Sequence, residues 1–269
     1  MSRPDRAMEA ILAAAREIGD SCPTDISAEV ATRAHRAAYE ALGTEDPYAE
    51  QKAMSNQVAL GLLPRAREMY ETSPPPDRLR TAALLSIVGN VLDFGIDGGL
   101  EGPGALDDAF DHLVAQGLGR DDSEELAGML SPGTRVAYLT DNCGEVVFDQ
   151  LLLEELRSRG CSVTLVVKGE PILTDATRED VEALGMGGLV DRVVDTGPRA
   201  VGVDLATVPP ETRETILSAD LVISKGMANL ESLSDTDVRP IAYLLRTKCH
   251  PVAGTVGEAK DINVLKLFH

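Results

Sequence analysis

Three places in the second half of the chain set oxygen-bearing or cationic side chains directly after a short β-branched run. Asp141, Asn142, Cys143, Gly144 and Glu145 follow RVAYLT, the stretch Lys168 to Asp175 follows CSVTLVV, and Lys225 and Gly226 follow DLVIS. A carboxylate and an amide oxygen side by side can ligate magnesium or manganese. Free N–H groups at the start of the apolar helix VVFDQLLLEEL can then face a phosphate. The same pair can equally cap that helix while Gly144 relaxes the turn, and the spacing leaves both roles open. Asp175 can reach across from the neighbouring strand as a third oxygen ligand; alternatively, Thr174 or Asp175 opens the helix TREDVEALG. Lys225 beside backbone amides can bind phosphate, although this turn is not a P-loop, and a plain surface lysine has the same local sequence. Arg246 and Lys248, after the apolar run IAYLL, can add charge at the same rim. In SIVGNVLDFGI, Asn90 and Asp93 lie three apart on one face of an otherwise apolar helix. They need partners, either in a cleft or in each other.

These residues are positioned by two stretches with different patterns. From Arg135 onward, β-branched runs at 135–140, 161–167, 191–195 and 220–224 alternate with helices. Strand 135–140, helix 144–159 and strand 162–167 form one βαβ unit. That order predicts a mainly parallel sheet with its ligands at the carboxyl ends of the strands. Upstream, alanine-rich segments near 5–18, 27–42, 48–71 and 77–94 carry apolar residues at helical spacing, with breaks at Gly43, at Ser73 to Pro76 and at Gly102 to Gly104. The prediction is an α/β protein. It has an N-terminal helical domain over 1–131 and a three-layer α/β domain with a Rossmann-like, mainly parallel sheet over 132–269.

Bulk properties narrow the function. A net charge of −19, with only six lysines (Lys52, Lys168, Lys225, Lys248, Lys260 and Lys266), argues against nucleic acid, which relies on clustered basic residues. No apolar run reaches the roughly 20 residues of a membrane helix. The N-terminal stretch is amphipathic rather than a secretory signal, so no membrane partner and a cytoplasmic location are expected. Cys22, Cys143, Cys161 and Cys249 form no C-x-x-C pair and suggest neither a zinc knuckle nor a disulfide framework. Nothing in the chain specifies an oligomeric state.

Taken together, DPY with a downstream lysine and asparagine (Asp46, Pro47, Tyr48, Lys52, Asn56), GNVLDFG (89–95), DNCGEVVFD (141–149), KGEPILTDAT (168–177), SKGMANLESL (224–233) and LLRTKC (244–249) resemble the damage-control phosphatase family. This family was formerly known as domain of unknown function 89, and the resemblance is to its compact archaeal and bacterial members. Each motif is short, but their order and spacing along most of the chain are specific. The resemblance implies that Asp141, Asn142 and Asp175 hold a divalent metal. It implies that Lys225, Gly226 and Asn229, and then Arg246 and Lys248, contact substrate, with Glu145 near the same pocket. Asn90 and Asp93 join the substrate-binding set. The chain departs from the family pattern in three places. It begins without the cysteine pair common among such relatives, Met227 stands where a glutamine is usual, and Thr174 stands where an asparagine is expected.

The function implied is metal-dependent hydrolysis of small phosphorylated metabolites, either sugar phosphates or damaged phosphometabolites. Attack would come from a metal-activated water or from Asp141 itself. Manganese, magnesium, cobalt and nickel all suit an oxygen-rich site. Two alternatives come from other classes. One is an S-adenosylmethionine-dependent carboxyl methyltransferase, against which stands the single glycine of DNCGE. The other is a non-catalytic metabolite-binding protein in which the metal anchors a ligand.

Overall fold

The computed structural model describes residues 4–22, 24–89 and 103–269, so Asn90 and Asp93 lie outside the described residues. The first half contributes α1 (Pro4–Gly19), α2 (Ser27–Leu42), α3 (Ala49–Thr72), α4 (Arg78–Gly89), α5 (Pro103–Ala115), the two-residue strand β1 (Arg120–Asp121) and α6 (Ser123–Met129). Then follow β2 (Arg135–Leu139), α7 (Glu145–Ser158), β3 (Ser162–Val167), α8 (Arg178–Ala183), β4 (Arg192–Asp195) and α9 (Pro210–Ser218). The chain closes with β5 (Leu221–Lys225), α10 (Met227–Leu233), β6 (Ile241–Arg246), α11 (His250–Val256) and β7 (Asn263–Phe268).

The strands form one sheet in the order β1-β7-β6-β5-β2-β3-β4. Every pairing is parallel except β6 with β7. The chain winds outward from β2 through β3 to β4, then returns to the other side of β2 through β5 and β6. The order reverses between β2 and β5, and in open α/β sheets that reversal opens the ligand crevice at the carboxyl ends of the strands.

Alternate residues of each strand feed opposite apolar layers. Val136, Tyr138, Val163, Leu165, Ile223 and Leu244 pack with α4 and α7 on one face. Ala137, Leu139, Val166, Val222 and Tyr243 pack with Ile216 of α9, Leu230 of α10 and Val252 of α11 on the other. Burial on both faces is why these strands read as continuous apolar runs rather than alternating ones. The three-layer architecture and the mainly parallel sheet are as predicted. The strands at 162–167, 192–195 and 221–225 fall within a residue of expectation.

Two differences matter. IAYLL is the core of β6, and NVLKLF forms β7, which runs against it and had no sequence assignment. The sheet also continues past β7 onto Arg120 and Asp121 of the helical half.

Helix α7 is apolar nearly all round: Val146, Val147, Phe148, Leu151, Leu152, Leu153 and Leu156 are fully buried. A helix of that kind is enclosed by protein, here between the sheet and the pair α3 and α4. Helix α4 lies so close that a Cβ on Gly89 would come within 2.7 Å of the Phe148 ring. This packing fixes the first turn of α7, where the polar residues gather.

Candidate active site at the strand switch point

Asp141 and Asn142 follow β2 at the reversal point. The backbone of 141–143 pairs with 174–176: Cys143 N–H donates to Thr174 O at 2.7 Å and Ala176 N–H to Asp141 O at 2.8 Å. An antiparallel bridge between Asn142 and Asp175 results. Asp141, Asn142 and Asp175, predicted as one set from two strand ends, are therefore neighbours in space.

The alternative roles as helix caps are not realised. No side chain of its own N-terminal residue caps α7; instead Asn56 of α3 accepts from Gly144 N–H at 2.6 Å. Helix α8 is opened by Thr177 with Asp180 in a reciprocal capping box, not by Thr174 or Asp175. The N–H groups of Cys143 and Gly144, just before α7, are both occupied.

The Asn142 amide donates to Asp141 Oδ2 at 2.8 Å, and its carbonyl oxygen accepts from the Thr174 hydroxyl at 2.7 Å. Thr174, a departure from the family pattern, thus orients the amide oxygen. The Asp141 carboxylate lies against Gly226, where a Cβ would sit 2.0 Å from Oδ2. With φ 79° and ψ 170°, Gly226 adopts backbone essentially reserved for glycine.

Asp141 and Asp175 are buried, with 8% and 6% of their surfaces exposed. Burial pushes the Asp141 carboxyl well above the usual range, and Glu145 and Asp175 push it further against the pull of Lys225 and Lys168. Burial also raises Asp175, opposed by Lys168, Lys52 and His35. Lys168 Nζ lies 3.3 Å from Asp175 Oδ2 and also donates to the carbonyls of Ala200 and Gly202. His35 is lowered by burial, against the opposing influence of Asp175.

Lys225 occupies a different place from the phosphate-facing one expected of it. Fully buried, its ammonium donates to Glu145 Oε1, to Asp149 Oδ1 at 2.7 Å and to Ser86 O at 3.4 Å. Burial disfavours its charge, but Asp149 and Glu145 outweigh that and hold it above the ordinary lysine value. The Ser86 hydroxyl completes the group with a 2.6 Å bond to Asp149 Oδ1. Asn229 ties the two strand ends together, donating to Thr140 O at 3.1 Å and Lys225 O at 2.9 Å. Arg246 turns to Gln116 and Asn263, at 2.9 and 3.0 Å, on the β7 side, and Lys248 is exposed.

The DPY segment also finds partners. Lys52 is buried and bonds Asp46 at 3.2 Å and Asp180 at 2.6 Å, tying α3 to α8 across Cys143, whose thiol is pushed up by burial and then by Asp180.

Sequence reasoning assigned no role to Asp149, Lys168, His35 or Tyr39. Only Asp149 carried a local signal: one acid four residues after Glu145 in an otherwise apolar helix implies a buried cation. Among the described residues, no three His, Cys, Asp or Glu side chains form a metal cluster; the convergent set is two carboxylates and an amide.

The fold and site together define a doubly wound α/β protein whose switch point gathers acidic oxygen donors above a buried lysine. Residues 2–264 match the Damage-control phosphatase ARMT1-like domain. A damage-control phosphatase from Archaeoglobus fulgidus is 45% identical over 232 residues, covering 86% of this chain and 79% of that protein. One from Pyrococcus horikoshii is 34% identical over 216 residues, covering 80% and 72%. The crystal structure of a DUF89 family protein from Pyrococcus horikoshii superposes with a TM-score of 0.86 at 31% identity, over 99% of this chain and 91% of that one. The chain belongs to the damage-control phosphatase family, and its relatives support the activity class of a phosphatase hydrolase. Among the described residues no helix is long and apolar enough to cross a membrane.

Proposed function

We propose that the chain hydrolyses phosphomonoesters of small metabolites, sugar phosphates or damaged phosphometabolites, with a divalent cation held by Asp141, Asn142 and Asp175. The observation that carries this reading is the burial of Asp141 beside two further carboxylates, Glu145 and Asp175. Desolvated like charges are costly unless a cation joins them. The donor set fits: two carboxylates and an amide oxygen are hard ligands of the kind magnesium, manganese, cobalt and nickel accept. When bound, such a cation would neutralise charge developing on the phosphate and acidify a water.

The chain's own residues supply the rest. Thr174 holds the Asn142 carbonyl oxygen while the amide nitrogen bonds Asp141, and Lys168 pairs with Asp175. Lys225 holds Glu145 and Asp149 in one orientation at the edge of the ligand set. Gly226 gives the Asp141 carboxylate its space. A methyl donor would need open backbone amides after β2, and those of Cys143 and Gly144 are taken.

A screen of purified protein across metals and phosphometabolites, with Asp141→Ala and Asp175→Ala as controls, tests the proposal. Metal-stimulated phosphate release that both substitutions abolish is expected. Unchanged release in either variant, or uptake of the methyl donor without metal, overturns it.

A further inference from the structure

The loop that delivers Asp175 is held at two ends by different means. Its later half is bound to the end of β2 through Thr174 and Ala176. Its earlier half is reached from the helical half of the chain and from the segment after β4. Leu173 N–H donates to the Tyr39 hydroxyl of α2 at 2.9 Å, and Arg199 Nε donates to Pro171 O at 2.7 Å.

Leu173 has φ +50°, one of two positive-φ positions outside glycine among the described residues. A leucine enters that region only when its surroundings impose it, whereas glycine enters freely. Two residues later stands Asp175. The strain and the bond that holds it are thus adjacent to a proposed ligand.

Tyr39 is itself fixed. It is 3% exposed, and its ring lies under the Arg199 guanidinium, 5.0 Å from the ring centroid. Arg199 is anchored in turn on Glu45 O and Glu45 Oε2, each at 2.9 Å. Burial pushes the Tyr39 phenol up to about 12, so it remains a neutral hydroxyl over the working range.

We propose that Tyr39 is a positioning residue: by accepting the Leu173 N–H it locks the left-handed turn that presents Asp175 to Asp141 and Asn142. The inference rests on the metal reading above. It goes beyond that reading by making a residue of the helical half responsible for a ligand's geometry.

The test uses Tyr39→Phe, Leu173→Gly and the double variant. Manganese alone is titrated calorimetrically without substrate, and amide exchange is followed over residues 170–176. Tyr39→Phe keeps the ring and the Arg199 stack and removes one hydrogen bond, so manganese affinity should fall about 3- to 10-fold. Exchange at Leu173 should quicken. Leu173→Gly adopts the same backbone without needing the tether, so the double variant should regain most of the affinity. Such rescue is not expected of general destabilisation. Wild-type affinity in Tyr39→Phe, or a double variant no better than Tyr39→Phe, overturns the proposal. If the wild-type protein takes up no manganese, the metal reading fails separately and exchange decides. Lost protection at Leu173 in Tyr39→Phe then supports the tether, and unchanged protection overturns it.

Discussion

Replacing Gly226 by alanine isolates the packing that places Asp141. The new Cβ would lie 2.0 Å from Asp141 Oδ2, 2.2 Å from Cγ and 2.7 Å from Oδ1. All three separations are far inside contact distance, so the carboxylate must move. The backbone itself must also bear a side chain at φ 79° and ψ 170°, which costs about 1–3 kcal/mol. For a chain of this size each kcal/mol corresponds to roughly 2–4 °C in Tm, so a fall of several degrees is expected. The larger effect should be on ligand geometry. Losing a group that merely orients a metal ligand costs about 10–100-fold in affinity, and displacing the ligand itself should cost at least that. Thermal unfolding, manganese titration and phosphate release measured on one preparation separate the two effects. A folded Gly226→Ala variant with wild-type manganese affinity would refute the argument that this glycine exists to seat Asp141.

Three further outcomes follow from the same contacts. Asp141→Asn should abolish metal-stimulated phosphate release yet raise the Tm of metal-free protein near neutral pH. The folded carboxyl is shifted up, so its stabilising contribution is present below about pH 4 and is lost as pH rises through the folded value; a flatter Tm-against-pH profile in the variant checks this. Lys225→Met leaves Glu145 and Asp149 buried without their cation and should cost about 3–5 kcal/mol by denaturant unfolding, while a shift below 1 kcal/mol would show the pair is otherwise neutralised. Asn56→Ala removes the acceptor of Gly144 N–H and should cost about 0.5–2 kcal/mol, with exchange quickening at the first turn of α7.

The sequence made legible what depends on neighbours along the chain. The βαβ order and the residues after each strand led to the switch point, because a parallel sheet places its ligands there whatever the side chains. Strands β6 and β7 escaped because a short apolar run bounded by loops reads equally as buried helix or strand, and their pairing joins residues with no shared local pattern. Lys225 shows the same boundary. Its position at the end of β5 was evident, but whether the ammonium faces a phosphate or Glu145 and Asp149 depends on where α7 lies. Tyr39 and Asn56 act on loops far away in sequence through single hydrogen bonds, and nothing in their own segments marks those destinations.

The two residues of β1 carry a consequence for anyone who trims this chain. They cover the outer edge of β7, whose Val264 and Leu265 pair with Arg120 and Asp121. A fragment starting at residue 132 would bare that edge together with the apolar face that α4 covers, offering a ready template for strand addition by another copy. Such fragments should therefore precipitate rather than fold, and recombination between relatives should succeed at loops outside this seam. The helical half is a lid on the sheet's open margin as well as a wall of the site.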